Sequence, residues 1–234
     1  WRLIDGGYHY QYMRNTLQLN NGNGTFSEIG YLAGIAKTDW SYAVLLADFD
    51  NDGWKDLFVS NGYRRDVRNV DVTNQWEGIL ARQGGKFRRG QLHDLLGLFP
   101  ANRLANYIFK NNGDLTFSDI SADYGLTHGS FSNGAAYGDL DNDGDLDLVI
   151  SNLMDPAFVY RNNASGMTGN NYLRIILDGP NDNPAGIGAK VSLGRDGNFQ
   201  HQEFHLTRGF QSSVEGAVHF GLGDNETVER LQVT

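Results

Sequence analysis

The sequence predicts an all-β fold: a partial β-propeller with a helical insertion and a small C-terminal β module. Three observations predict it. A nine-residue acidic loop occurs twice, the segments around it repeat without a gap, and short apolar runs alternate with turn residues through most of the chain. In 234 residues, 30 glycines and 4 prolines suit a turn-rich globular β protein.

The loops read Asp48-Phe49-Asp50-Asn51-Asp52-Gly53-Trp54-Lys55-Asp56 and Asp139-Leu140-Asp141-Asn142-Asp143-Gly144-Asp145-Leu146-Asp147. Both fit D-x-D-x-D-G-x-x-D. Carboxylates at alternate positions with glycine at the sixth suit a hard, oxygen-seeking cation, and the glycine permits the turn that folds positions 1, 3 and 5 around one point. The predicted ligands are Asp48, Asp50, Asp52, the carbonyl of Trp54 and Asp56. In the second loop they are Asp139, Asp141, Asp143, Asp145 through its carbonyl, and Asp147. The expected cofactor is Ca²⁺, at two structural sites. An EF-hand would need Glu at position 12, where Val59 and Ile150 stand. The alternative is a pair of solvated acidic turns. Repetition of the full pattern argues against it, because the crowded carboxylates would repel by about 1 kcal/mol per pair at 4 Å even in water.

The flanks read as strands. Residues 43–47 precede the first loop, 57–60 follow it, and 148–151 follow the second. Apolar runs of this length suggest strands buried on both faces, so each loop is expected at the tip of a β-hairpin. From Asp48 to Asp139 the offset is 91 residues, and the same offset aligns residues 15–61 with 106–152, with 19 of 47 positions identical. The Asn20-Asn21-Gly22 turn matches Asn111-Asn112-Gly113, and Thr25-Phe26-Ser27 matches Thr116-Phe117-Ser118. One repeat is a blade-sized sheet unit. A partial third unit begins at Phe158-Val159-Tyr160-Arg161-Asn162-Asn163.

These residues resemble FG-GAP/VCBS repeats, the calcium-loop propeller blades also found in integrin α-subunits, over about residues 10–163. The C-terminal part resembles the ASPIC/UnbV module through Gly186-Ile187-Gly188-Ala189-Lys190-Val191, Gly209-Phe210-Gln211-Ser212, His219-Phe220-Gly221-Leu222-Gly223 and residues 228–234. Together their order is similar to bacterial surface or secreted relatives of cartilage acidic protein. The resemblance implies calcium binding and an extracytoplasmic location, and it implies no known reaction. The domain reading is a repeat region over 1–163 and a β module over 168–234.

Composition sets bounds. Cysteine is absent, which removes disulfides and thiolate metal sites. No apolar stretch is long enough to span a membrane as a helix. The formal charge of −9 is largely loop carboxylate, and two divalent ions would bring it to about −5. No nucleic-acid signature accompanies it. The sequence starts at Trp1 and stops at Thr234 inside an apparent strand, so a piece of a longer chain is expected. Two and a fraction blades cannot close a propeller. The open edges then need a cap from the insertion, the C-terminal module or another copy, which leaves oligomerisation open.

Residues 62–105 interrupt the repeat and are basic. Val72, Trp76, Ile79 and Leu80 predict one helix and Leu92, Leu95, Leu96 and Phe99 another, with Gly84-Gly85 as the turn and Pro100 as the stop. The segment reads as a helical cap over a sheet edge or as a recognition element using Arg64, Arg65 and Arg68, or Lys86, Arg88 and Arg89.

No catalytic constellation stands out. His201-Gln202-Glu203-Phe204-His205 lacks the Glu directly after the first His that a zincin helix needs. It also sits where a strand is expected, with the two histidines about 13 Å apart. Trp40 and Phe131 read as core. Tyr8, Tyr10 and Tyr12 alternate at strand spacing and read as core or as a sugar-stacking face. The favoured function is adhesion or ligand binding, to a glycan or a surface or matrix protein. The competing readings are a fragment of a polysaccharide-processing propeller enzyme and a purely architectural module.

Overall fold

The structure, a computed structural model, describes residues 5–8, 12–67, 69–86, 90–195 and 197–234. His9, Tyr10, Arg68, Arg88 and Arg89 lie outside the described residues. The first hairpin pairs β1 (Gln18–Asn20) with β2 (Phe26–Glu28). Asn21 N–H closes its turn on the Thr25 carbonyl at 3.0 Å. Four strands then form one antiparallel sheet in chain order: β3 (Ser41–Ala47), β4 (Asp56–Asn61), β5 (Tyr107–Asn111) and β6 (Phe117–Asp119). Three more form the next: β7 (Ser132–Gly138), β8 (Asp147–Asn152) and β9 (Phe158–Tyr160). The acidic loops are the β3–β4 and β7–β8 connections, each at a hairpin tip as expected.

Each sheet crosses the repeat boundary. The acidic-loop hairpin of one unit is completed by strands of the following one, through Leu57 opposite Phe109 in the first sheet and Leu148 opposite Tyr160 in the second. Among the described residues the strand pairs are antiparallel and the sheets close no barrel, as in a partial propeller. Their facing sides share one core. It takes Ala43, Leu45, Ala47, Phe49, Phe58 and Ile108 from one sheet and Ala135, Leu146, Leu148 and Ile150 from the other.

The other side of the first sheet buries Leu57, Val59 and Phe109 against Ala33 and Ile35. β4 is therefore buried at every position, as its apolar run predicts. β3 departs from that expectation. Val44 and Leu46 are 50% and 41% exposed, because the layer that covers their cross-strand neighbours Val59 and Leu57 does not extend to them.

The insertion leaves the sheet between β4 and β5 and holds α1 (Val70–Arg82) and α2 (Gln91–Gly97). Gly84 and Gly85 take φ of 69° and 76° in the predicted turn. The ends of the insertion close on one another. Arg65 bridges Ala101, and its guanidinium donates to the Phe99 carbonyl at 2.7 Å. α1 buries no residue.

After α3 (Ala164–Thr168), the C-terminal module pairs β10 (Asn171–Ile175) with β13 (Val218–Gly223). It also forms a three-stranded sheet in which β11 (Lys190–Arg195) lies between β12 (Asn198–Glu203) and β14 (Arg230–Val233). Its core is Val191, Leu193, Phe204, Val218 and Phe220. Among the described residues no helix is long and apolar enough to cross a membrane.

Candidate metal centre

The two loops fold alike. Asn51 and Asn142, at position 4, take φ of 59° and 60°, and Gly53 and Gly144, at position 6, take 95° and 90°. This left-handed backbone favours glycine and tolerates asparagine. It turns successive N–H groups inward. Asp48 accepts from Asp52 N–H (3.1 Å) and Gly53 N–H (2.9 Å), and Asp139 accepts from Asp143 N–H (3.1 Å) and Gly144 N–H (3.2 Å).

As a result Asp48, Asp50 and Asp52 bring carboxylate oxygens within 4.8 Å of one another, and Asp139, Asp141 and Asp143 do the same. Three convergent hard oxygens per loop suit a calcium ion, whose ligands sit at about 2.3–2.6 Å. Burial also disfavours bare charge at the first triad. Asp48 is buried, and burial, with Asp52 beside it, pushes its carboxyl up to about 8. A cation there would hold Asp48 ionised.

The ninth residues take backbone donors from their own loop and from the following strand. Asp56 accepts N–H bonds from Phe49 at 3.1 Å and from Asn111 at 2.9 Å. Asp147 accepts from Leu140 at 3.0 Å and Asn162 at 2.8 Å. Both side chains close the loop and fasten it to the next strand, and neither joins the converging triads. Burial raises Asp56 to about 7, against those hydrogen bonds. Asp145 is fully buried, and its carboxylate takes Ser165 N–H at 2.8 Å and the Ser165 hydroxyl at 2.9 Å at the start of α3. The Trp54 side chain packs on Gly113.

The loops also form the seat of the C-terminal module. Asn51 is fully buried and reaches three ways. Its Nδ2 donates to the Gly144 carbonyl (3.2 Å) and Asp145 Oδ1 (2.9 Å), and its Oδ1 lies 2.7 Å from His219 Nε2. Since Oδ1 only accepts, His219 carries its proton on Nε2. Burial lowers His219 to about 4, keeping it neutral. Gly221 lies on β13 where a Cβ would collide with the Asp48 carboxylate and come within 2.6 Å of the Asn51 backbone. Gly223 N–H donates to the Asn51 carbonyl at 2.8 Å. Over the second loop, the Tyr172 ring lies where a Cβ on Gly144 would fall. Glu215 accepts Asp139 N–H at 3.0 Å and pairs with Arg174. Asn51, Glu215 and Gly221 were not singled out by sequence reasoning. Their partners are far away in the chain, and only the glycine in the His219–Gly223 run hints at close approach.

The histidine pair does not converge: His201 Nδ1 lies 2.8 Å from Ser192 Oγ, and His205 pairs with Glu203 at 2.8 Å. Trp40 stacks on Tyr63 at 4.3 Å, and Phe131 is buried. Between the first loop and the C-terminal module runs a cleft of about 330 Å³, bordered by Asp52, Trp54, Phe199, Gln200, Leu222 and Asn225. Trp54 and Phe199 are 55% and 57% exposed.

Comparison with known sequences finds two families along the chain. The FG-GAP-like repeat family matches residues 7–59 and 91–150, and the family described as ASPIC and UnbV matches 179–234. Cartilage acidic protein 1 of Mus musculus is 28% identical over 242 residues, covering 91% of this chain and 36% of that protein. Its Homo sapiens counterpart is 26% identical over 249 residues, with the same coverage. The chain thus spans little more than a third of the length of these relatives.

Proposed function

The chain carries FG-GAP-like repeats followed by an ASPIC and UnbV domain, and on that premise we propose that it is a calcium-binding extracytoplasmic repeat protein whose role is adhesion or ligand binding. The observation that carries the calcium reading is the pair of convergent carboxylate triads at equivalent positions of the two loops. Calcium at these loops is structural. It would neutralise Asp48, Asp50 and Asp52 directly beneath β13, and so fasten the C-terminal module to the blades.

The surface that best fits a ligand is the cleft beside the first loop. Exposed Trp54 and Phe199 offer stacking faces, and Gln200 and Asn225 offer amide groups, a combination that suits a saccharide. A glycan is therefore the favoured ligand and a surface or matrix protein the alternative. The exposed Val44–Leu46 face of β3 is where a further blade or a second copy would pack.

Calorimetric titration with calcium tests the metal. Two binding events in the wild type, both lost in the Asp50→Ala, Asp141→Ala double variant, support it; no uptake by the wild type contradicts it. A glycan and matrix-protein array in calcium and in EDTA tests the ligand. Calcium-dependent glycan binding that Trp54→Ala abolishes supports the cleft, and binding indifferent to Trp54 places the ligand elsewhere.

A further inference from the structure

Each acidic loop is met by a cation from the unit that follows it. Lys110 ends one residue beyond the Leu57–Phe109 pair, and its Nζ binds Asp50 Oδ2 and, at 2.6 Å, Asp52 Oδ2. Arg161 stands one residue beyond the equivalent Leu148–Tyr160 pair. Its Nη2 lies 2.7 Å from Asp141 Oδ2 and 3.3 Å from Asp143 Oδ2. The next residue repeats as well. Asn111 and Asn162 donate their N–H groups to Asp56 and Asp147, and their side-chain amides to the carbonyls of Lys55 and Leu146 at 3.0 and 3.3 Å. Two units making the same four contacts through a basic–Asn pair form a device of the repeat.

The atoms involved decide its effect. In the first loop, Asp50 Oδ1 and Asp52 Oδ1 take the backbone N–H groups of Asp52 and Trp54 at 3.2 and 2.9 Å. Their Oδ2 atoms, the ones left for a metal, are those Lys110 holds. A divalent ion entering the triad meets a positive charge bound to the oxygens it needs.

We propose that Lys110 and Arg161 are tethered counter-ions, which hold the carboxylates together when the metal is absent and weaken divalent-cation binding when it is present. Both effects follow from one charge at contact distance, screened according to exposure. The Lys110 side chain is 37% exposed and that of Arg161 64%, so the first loop feels the larger effect.

The inference rests on the calcium reading, and the test separates the two. Lys110→Met keeps the apolar stem and removes the charge. Calcium titration should show affinity at one site rising about tenfold, while the melting temperature in EDTA falls and that in saturating calcium does not. Arg161→Met should move in the same directions by less, and Lys110→Arg should behave as wild type. An affinity that falls or stays unchanged in Lys110→Met, an unchanged melting temperature in EDTA, or a Lys110→Arg that mimics the methionine variant overturns the proposal. Should Lys110→Met not fold, the exposed Arg161→Met decides by the same readouts. Wild-type protein that takes up no calcium overturns the calcium reading itself.

Discussion

The two acidic loops share a motif, a backbone and a set of internal hydrogen bonds, and they live in different surroundings. In the first, Asp48, Asp50, Asn51 and Asp56 are buried, and β13 lies directly against Asp48 and Asn51. In the second, Asp141 and Asn142 are exposed and Asp139 and Asp143 half-covered. Burial, with Asp52 close by, lifts Asp48 to about 8, whereas the Asp145 N–H and Arg161 hold Asp143 below the usual carboxylate range. The same motif is thus a covered joint between modules in one place and, in the other, a partly solvated hairpin tip that Tyr172 and Glu215 touch. Ligand geometry is a local property of the loop, but dependence on the ion is set by what lies on top of it.

The largest effect should come from prising the cover off each loop. Gly221→Val drives a side chain into Asp48 and the Asn51 backbone, where nothing flexible can yield. It should cost about 3 kcal/mol by denaturant unfolding. Tyr172→Ala uncovers the second loop, and because that ring is 38% exposed it should cost about 1 kcal/mol. Equal losses would remove the distinction between the loops.

Next comes the residue at position 4. Asn51→Ala removes the partners of His219 Nε2 and the Gly144 carbonyl and one donor from Asp145, and should destabilise by about 2 kcal/mol. Asn142→Ala meets only the left-handed strain of an exposed position, about 1 kcal/mol or less. Chemical denaturation of the two variants side by side measures the contrast.

The smallest effect is a dependence on pH. Without metal, the folded state retains protons on Asp48 up to about pH 8 and on Asp56 up to about pH 7, while the unfolded chain releases them near pH 4. Stability in EDTA from these groups therefore falls as pH rises from about 4 to 8. His219 acts oppositely. Its depressed value makes the unfolded state the better proton binder between about 6.5 and 4, so its contribution is lost on acidification. Calcium should cancel the first trend and leave the second. The rise in melting temperature on adding calcium should thus grow from pH 5 to pH 8. Asp48→Asn should flatten that growth more than Asp139→Asn. Growth that is identical in both variants would break the comparison.

Much of this was legible in the sequence because it is written locally. The loop pattern, the 91-residue offset, the hairpin tips and both insertion helices each depend on residues close in the chain. What the sequence left hidden depends on distant partners. The repeat unit reads as one blade, yet strand pairing joins Leu57 to Phe109 and Leu148 to Tyr160 across the unit boundary. Asp56 and Asp147 read as metal ligands because they complete the motif. Their carboxylates also take N–H bonds from the following strand, a demand visible only once that strand is in place. Val44 and Leu46 read as buried, since an apolar run cannot reveal that its covering layer ends one strand short. The role of Asn51 was invisible for the same reason: its three partners lie in the second loop and in β13.

Hydrogen exchange in saturating calcium and in EDTA tests the central claim most directly, that cations at these loops fasten the C-terminal module to the blades. The account predicts that EDTA deprotects the first loop and β13 (Val218–Gly223) together, with a smaller change at residues 139–147 and none in the shared blade core at Phe58 and Ile150. Exchange that is the same in both conditions, or a change confined to the loops with β13 untouched, would contradict it.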